Sequence, residues 1–229
     1  MLKEAFCVSC VRTVYRGVND DDSCPVCSSP LMVTASEREV EMEAPAASPL
    51  IPKNEGLRLA AVGRYEILDT PPDGAFDRIT ILAARIFEVP ISTITIVDHD
   101  RIWFKSKYGI DAEQIDREPG LCASAVLSDE AWVVSDASVD PRALDNPLVR
   151  GELGLRFYAG APLKTADGYN LGTINVIDTK PRELTESQIE VLQGMAEIVV
   201  DNLELRLAAL RLYRDVREGK LHSQEQLSA

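Results

Sequence analysis

The chain has 229 residues, 45% of them hydrophobic, and a formal net charge of −13. That length supplies one substantial core plus a small appendage. The acidity argues against generic nucleic-acid binding, whose phosphate contacts need a basic surface. No run of about 18 or more apolar residues exists, which argues against a helical membrane span. The N-terminal MLKEAFCVSC lacks the apolar stretch of a secretory signal, so a cytoplasmic location is expected.

Four of the five cysteines form two CxxC pairs, Cys7/Cys10 and Cys24/Cys27, separated by 13 residues. In a reducing compartment such spacing points to a metal rather than to disulfides. Zinc takes four tetrahedral ligands, thiolates suit it, and four cysteines leave no open position for catalysis. The pattern resembles a zinc ribbon, with a hairpin around Gly17 and a structural zinc supplementing a core too small to stand alone. The ribbon's charges nearly cancel, Lys3, Arg12 and Arg16 against Glu4, Asp20, Asp21 and Asp22, which suits contact with a protein partner better than with DNA. The expected organisation is a ribbon over residues 1–34, a flexible acidic and Ala/Pro-rich linker over 35–53, a larger domain over 54–206 and a helical extension with a tail over 207–229.

In the larger domain, NEGLRLAAVGRY carries Leu57, Leu59, Ala60 and Ala61 at helical spacing, with Asn54 as cap and Gly63 as stop. Ala75 to Phe87 forms a second helix whose Phe76, Ile79, Leu82, Ala83 and Ile86 stripe faces a core. Ile91 to Val97 reads as a strand with Thr93 and Thr95 interleaved. Asp98, His99 and Asp100 make a turn, and Ile102 to Tyr108 pairs back. GLCASAVL is a short helix over the open face of the sheet. Arg156 to Thr179 is a hairpin reversing at Asp167, Gly168 and Asn170, residues that tolerate the positive φ of a tight turn. Thr185 and Gln188 form a capping box for a long C-terminal helix.

The succession RYEILDTPPDGAFDRIT, VPISTITIVDHDRIWFKSKYGID, GLCASAV and GLRFYAGAPLKTADGYNLGTINVIDTKPRELTESQ resembles a GAF domain, over roughly residues 56–206. It is similar to the bacterial GAF domains of signalling proteins with phosphotransfer or cyclic-dinucleotide output modules. The resemblance implies an α+β fold, a central antiparallel sheet with helices on one face and a ligand-sized cavity on the other. Members bind small molecules or merely dimerise, so the fold leaves the function open. Many relatives carry His two residues after the cysteine of the GLCASAV segment. Here Ser124 stands there, which removes support for bilin attachment at Cys122. Free methionine sulfoxide reductases of this fold use several cysteines, and this domain has one. The NKFDE signature of cyclic-nucleotide binders is missing.

The candidate ligand-binding residues are Trp103, Cys122, Ser124, Arg142, Asn146, Tyr158 and Asn175. Trp103 and Tyr158 combine an apolar body with a polar tip. Asn175 lies mid-strand among apolar neighbours, and a buried amide needs a partner or a ligand. Arg142 and Asn146 are placed to reach a polar or anionic ligand, with capping and turn formation as their plainer roles. Cys122 is either a reactive thiol or a small buried hydrophobe. His99 is a solvated turn residue.

The C-terminal helix carries Ile189, Leu192, Ala196, Val199, Leu203, Leu207 and Leu210, a stripe outlasting the domain and suited to a parallel dimer. With no nucleophile and base in view, the expectation is a non-enzymatic sensor or adaptor. It binds an unidentified small molecule, contacts a protein partner through its ribbon, and biases its dimer helix on binding. The alternatives are a redox sensor using Cys122 or the zinc thiolates, and a ligand-free dimerisation scaffold.

Overall fold

The computed structural model describes residues 2–7, 12–17 and 51–218, in two compact units, 1–46 and 47–229. In the first unit β1 (Leu2–Cys7) pairs antiparallel with β2 (Arg12–Gly17), Cys7 opposite Arg12. Cys7 ends β1; Cys10, Cys24 and Cys27, and with them the zinc expectation, lie outside the described residues.

The second unit runs α1 (Glu55–Tyr65), α2 (Gly74–Ile86), β3 (Ile91–Val97), β4 (Arg101–Tyr108), β5 (Gln114–Asp116), α3 (Leu121–Ala125), β6 (Trp132–Val134), α4 (Pro147–Arg150), β7 (Phe157–Lys164), β8 (Asn170–Asp178) and α5 (Glu186–Arg217). Its sheet has the order β5-β4-β3-β8-β7-β6 and is antiparallel throughout. The β7–β8 hairpin turns with Gly168 at φ +88°, a conformation that costs glycine least. Asp73 caps α2, accepting from the Ala75 amide at 2.9 Å, and Thr185 and Gln188 complete the capping box of α5.

Alternation assigns the two faces of the sheet. Ile94, Ile96, Phe157, Ala159, Ala161, Ile174 and Val176 point to one face and pack under α2 and α5, where Phe76, Ala83, Leu192, Val199 and Leu203 close the larger core. The other face is covered by α3 and the segments around it; Ile91, Val97, Ile102, Leu121, Ala125, Val126 and Ile177 form a smaller core there. A bulge between Ile94 and Thr95 shifts the β3–β4 register, so Ser106 reaches the α2 side, bonded to Thr80 at 2.9 Å and Asp77 at 2.7 Å.

Three helix faces differ from the expectation. In α1 the buried residues are Arg58, Ala61, Val62 and Tyr65, while Leu57 and Ala60 are exposed; Asn54 makes no side-chain cap, and the helix runs past Gly63 to end at Glu66 in the left-handed region. On α2, Leu82 and Ile86 are exposed. On α5, Leu192, Ala196, Val199, Leu203 and Leu207 are buried against the chain's own sheet, so the expected dimer stripe is an internal one. A second row, Val191, Ile198, Leu205 and Leu212, spaced by seven, is exposed instead.

Candidate functional site

The face under α3 carries the chemistry. Strand pairing sets Trp132, Gly160, Asn175 and Thr93 in one row across β6, β7, β8 and β3, and Thr173 beside Thr95 in the next. Asn175 is wholly buried and satisfied. Its Oδ1 accepts from the Tyr158 hydroxyl at 2.7 Å, and its Nδ2 donates to Thr93 at 2.9 Å and Thr95 at 3.4 Å. The hydroxyls of Thr95 and Thr173 are 2.9 Å apart. Gly160 leaves room for this network: a Cβ there would fall 2.7 Å from Asn175 Oδ1 and nearer still to Tyr158 Oη. Burial, then the adjacent Cys122, holds the Tyr158 phenol well above its ordinary pKa, so it remains a donor. Trp132 meets the Tyr158 ring edge-on at 5.5 Å, and the Arg142 guanidinium lies 5.0 Å above Trp132.

The structure therefore unites Tyr158 and Asn175 and sets Cys122 against them. The other expected residues are elsewhere. Trp103 packs with the α2 and α5 core, beneath the Lys105 ammonium, on the opposite side of the sheet; alternation along β4 sends its ring away from the network. Arg142 spends its donors on Asp140, at 2.6 and 2.9 Å, and on the Val133 carbonyl at 3.1 Å. Ser124 is half-buried on α3, and Cys122 is a buried free thiol. Asn146 caps α4 through the Leu148 amide at 2.8 Å and donates to the Pro119 carbonyl. His99 is exposed in its turn.

Asn146 does line an open groove of about 370 Å³ between β5 and the starts of α3 and α4, together with Gln114, Asp116, Glu118, Gly120 and Leu148. That volume lies within the range of small-molecule sites. Gly120 belongs to this groove and is the N-cap of α3, two residues before Cys122.

A second polar constellation closes the end of the sheet. Glu55 on α1 receives Arg58 Nε and Nη2, each at 2.8 Å, and Arg117 Nη1 at 2.6 Å. Arg58 also reaches the carbonyls of Asn170 and Leu171, and Arg117 those of Asp98 and His99. Burial alone would raise the Glu55 pKa; the hydrogen bonds and charges of the two arginines outweigh it and pull it down to about 2. Sequence reasoning passed over this cluster. Its one signal is that Arg58 begins the spacing 58, 61, 62, 65 that a buried helix face needs.

Residues 71–201 match the GAF domain family, more than half of the chain. The chain belongs to that family. Over 155 residues it is 43% identical to a cyclic di-GMP phosphodiesterase of Pseudomonas aeruginosa, a match covering 67% of this chain and 26% of that protein. Among solved structures, the GAF domain of an Acinetobacter phosphoenolpyruvate-protein phosphotransferase aligns at 15% identity and a TM-score of 0.48, covering 69% of this chain and 98% of that one. A free methionine-R-sulfoxide reductase from Thermoplasma acidophilum aligns at 16% identity and a TM-score of 0.47, covering 57% and 92%. The sequence expectation of a non-enzymatic protein does not survive the Pseudomonas match, because the GAF region is shared with a protein named as an enzyme. No described helix is long and apolar enough to cross a membrane.

Proposed function

We propose that this chain is a small-molecule-responsive GAF module working in cyclic di-GMP turnover, with phosphodiester hydrolysis the reaction it serves. The turnover context is supported by the 43% identity to the Pseudomonas phosphodiesterase over the GAF region. The observation that carries the sensing role is the junction at α3. Gly120, the N-cap of this five-residue helix, lines the groove, and the helix's Cys122 packs against the Tyr158–Asn175 network of β7 and β8. A ligand seated in the groove bears on Gly120 and so on α3. Displacement of α3 re-packs Tyr158, and β7 and β8 lie directly beneath α5. The bias thus passes from groove to long helix through contacting elements, as a shift between two packings.

Two further parts complete the reading. Cys7, Cys10, Cys24 and Cys27 hold one structural zinc through a thiolate set that suits its tetrahedral preference, and their unit offers a surface for a protein partner. A second copy of the chain docks along the exposed row of α5. The test is to express the chain in a cyclic di-GMP-producing bacterium and measure nucleotide levels beside the Gln114→Trp variant, which fills the groove rim. The wild type changes the cellular level and the variant responds less; equal levels with wild type, variant and empty vector overturn the reading. Native mass spectrometry of the same protein reports zinc and any retained ligand.

A further inference from the structure

The cluster at the end of the sheet holds two guanidiniums and one carboxylate. Arg58 and Arg117 are both nearly fully buried, and Glu55 is their shared counter-ion. Asp98 pairs with Arg101 at 3.2 Å and Asp129 with Lys164 at 2.5 Å. Within the cluster the two guanidiniums outnumber the one carboxylate that they share. Arg117 uses only Nη1, on Glu55 and the two turn carbonyls, while its Nε and Nη2 are buried with no acceptor. These two N–H groups form one edge of the guanidinium fork, the edge that takes a carboxylate or phosphate in bidentate fashion. Buried polar groups are nearly always paired, so the open N–H edge of Arg117 marks a site built for something more.

We propose that Arg58 and Arg117 form an oxyanion site in which Glu55 is the resident, displaceable occupant, and that a small phosphate- or carboxylate-bearing molecule competes with it. Glu55 is the natural one to leave. It sits on the first turn of α1, and it is the least buried member of the three. An incoming dianion anchors on the open Nε and Nη2 edge of Arg117 and then takes over Nη1 and Arg58 from Glu55, whose release leaves the arginine pair neutralised and frees the first turn of α1. Arg117 does not itself line the groove, although its neighbours Asp116, Glu118 and Gly120 do; the test reads anion binding at the arginines directly, so its outcome is distinguishable from that of the sensing role.

The experiment is calorimetric titration of the full chain at fixed ionic strength with inorganic phosphate and, in a separate arm, with succinate. At least one anion binds saturably. Glu55→Gln removes the charged competitor and tightens binding tenfold or more. Arg117→Lys, which keeps the charge but loses the two-pronged edge, weakens it at least tenfold. Amide exchange in the first turn of α1 rises on binding to the wild type. A response to phosphate assigns the site to phosphorylated molecules, and a response to succinate to carboxylates. Absence of binding by both wild type and Glu55→Gln overturns the proposal, as does binding that Arg117→Lys leaves unchanged. If Arg117→Lys fails to fold, the wild type and Glu55→Gln comparison decides, and equal affinities count against the site.

Discussion

Phe157 and Tyr158 are neighbours in β7, and both are almost completely buried, yet they belong to different kinds of interior. Phe157 points under α5 into a core of apolar side chains. Tyr158 points under α3 and ends in a hydrogen bond to Asn175. The first face is held by area removed from water, which is non-directional and tolerant of repacking. The second is held by bonds that must each find a partner, so a small displacement there has a discrete consequence. A thick layer of α1, α2 and α5 covers the first face, and a helix of five residues covers the core of the second. The contrast locates stability on one side of the sheet and responsiveness on the other.

The largest expected effect tests the apolar side. Phe157→Ala removes a fully buried ring and costs about 3–5 kcal/mol, read as a drop in the urea midpoint. A loss under about 1 kcal/mol would show that α5 is loosely seated and that the division between faces is wrong. Next comes the charged end of the sheet. The folded pKa of Glu55, about 2, is depressed below its ordinary 4.5. Its contribution is therefore fully present above pH 4.5 and is lost as pH falls from there towards 2. The amount is on the order of 3 kcal/mol. Glu55→Gln should lower stability at pH 7 and flatten the acid limb of a stability–pH curve; an unchanged acid limb would show that the arginines do not hold this carboxylate. Asn175→Leu is smaller, about 1–3 kcal/mol, because it strips partners from Tyr158 and Thr93 without opening a cavity. Coupling to Tyr158→Phe in a double-mutant cycle separates the network from simple packing, since additive losses would mean the two side chains act alone.

The strands β3, β4, β7 and β8, the β7–β8 hairpin, α3 and the capping box of α5 were legible because each is written in local chemistry: alternation, turn glycine, a threonine followed three residues later by glutamine. The oddity of Asn175 was legible too, since an amide among aliphatic residues needs an acceptor and a donor somewhere. Its actual partners were not. Thr93, Thr95 and Thr173 become neighbours only through strand order and register, which join positions about 80 residues apart. Trp103 was misplaced because an aromatic in a strand signals burial without saying on which side. Arg58 and Arg117 stayed hidden because their shared counter-ion joins segments 62 residues apart. Arg142 had two readings in sequence, ligand contact or turn formation, and the aspartate two positions earlier claims it for the turn.

The smallest effect on stability carries the most information about assembly. The helix α5 is apolar on two sides. Leu192, Val199 and Leu203 are spent on the sheet, while Val191, Ile198, Leu205 and Leu212 face outward at seven-residue spacing. In sequence the two rows merge into one broad stripe, and the dimer expectation attached to the wrong one. Seven residues is nearly two helical turns, so the outer row stays on one side with a drift of about 20° per repeat, the geometry that supercoiling absorbs. Leu205 is the most exposed of the four, at 69%. Leu205→Lys should therefore change the unfolding free energy of the isolated fold by under about 0.5 kcal/mol. It should nevertheless lower the mass measured by light scattering from two chains to one. Val199→Ala, one position from Ile198 on the inner side, should do the reverse, destabilising the fold and leaving the mass unchanged. If Leu205→Lys leaves the mass at two chains, or the wild type is itself monomeric across the concentration range, the outer row is not where a second copy docks.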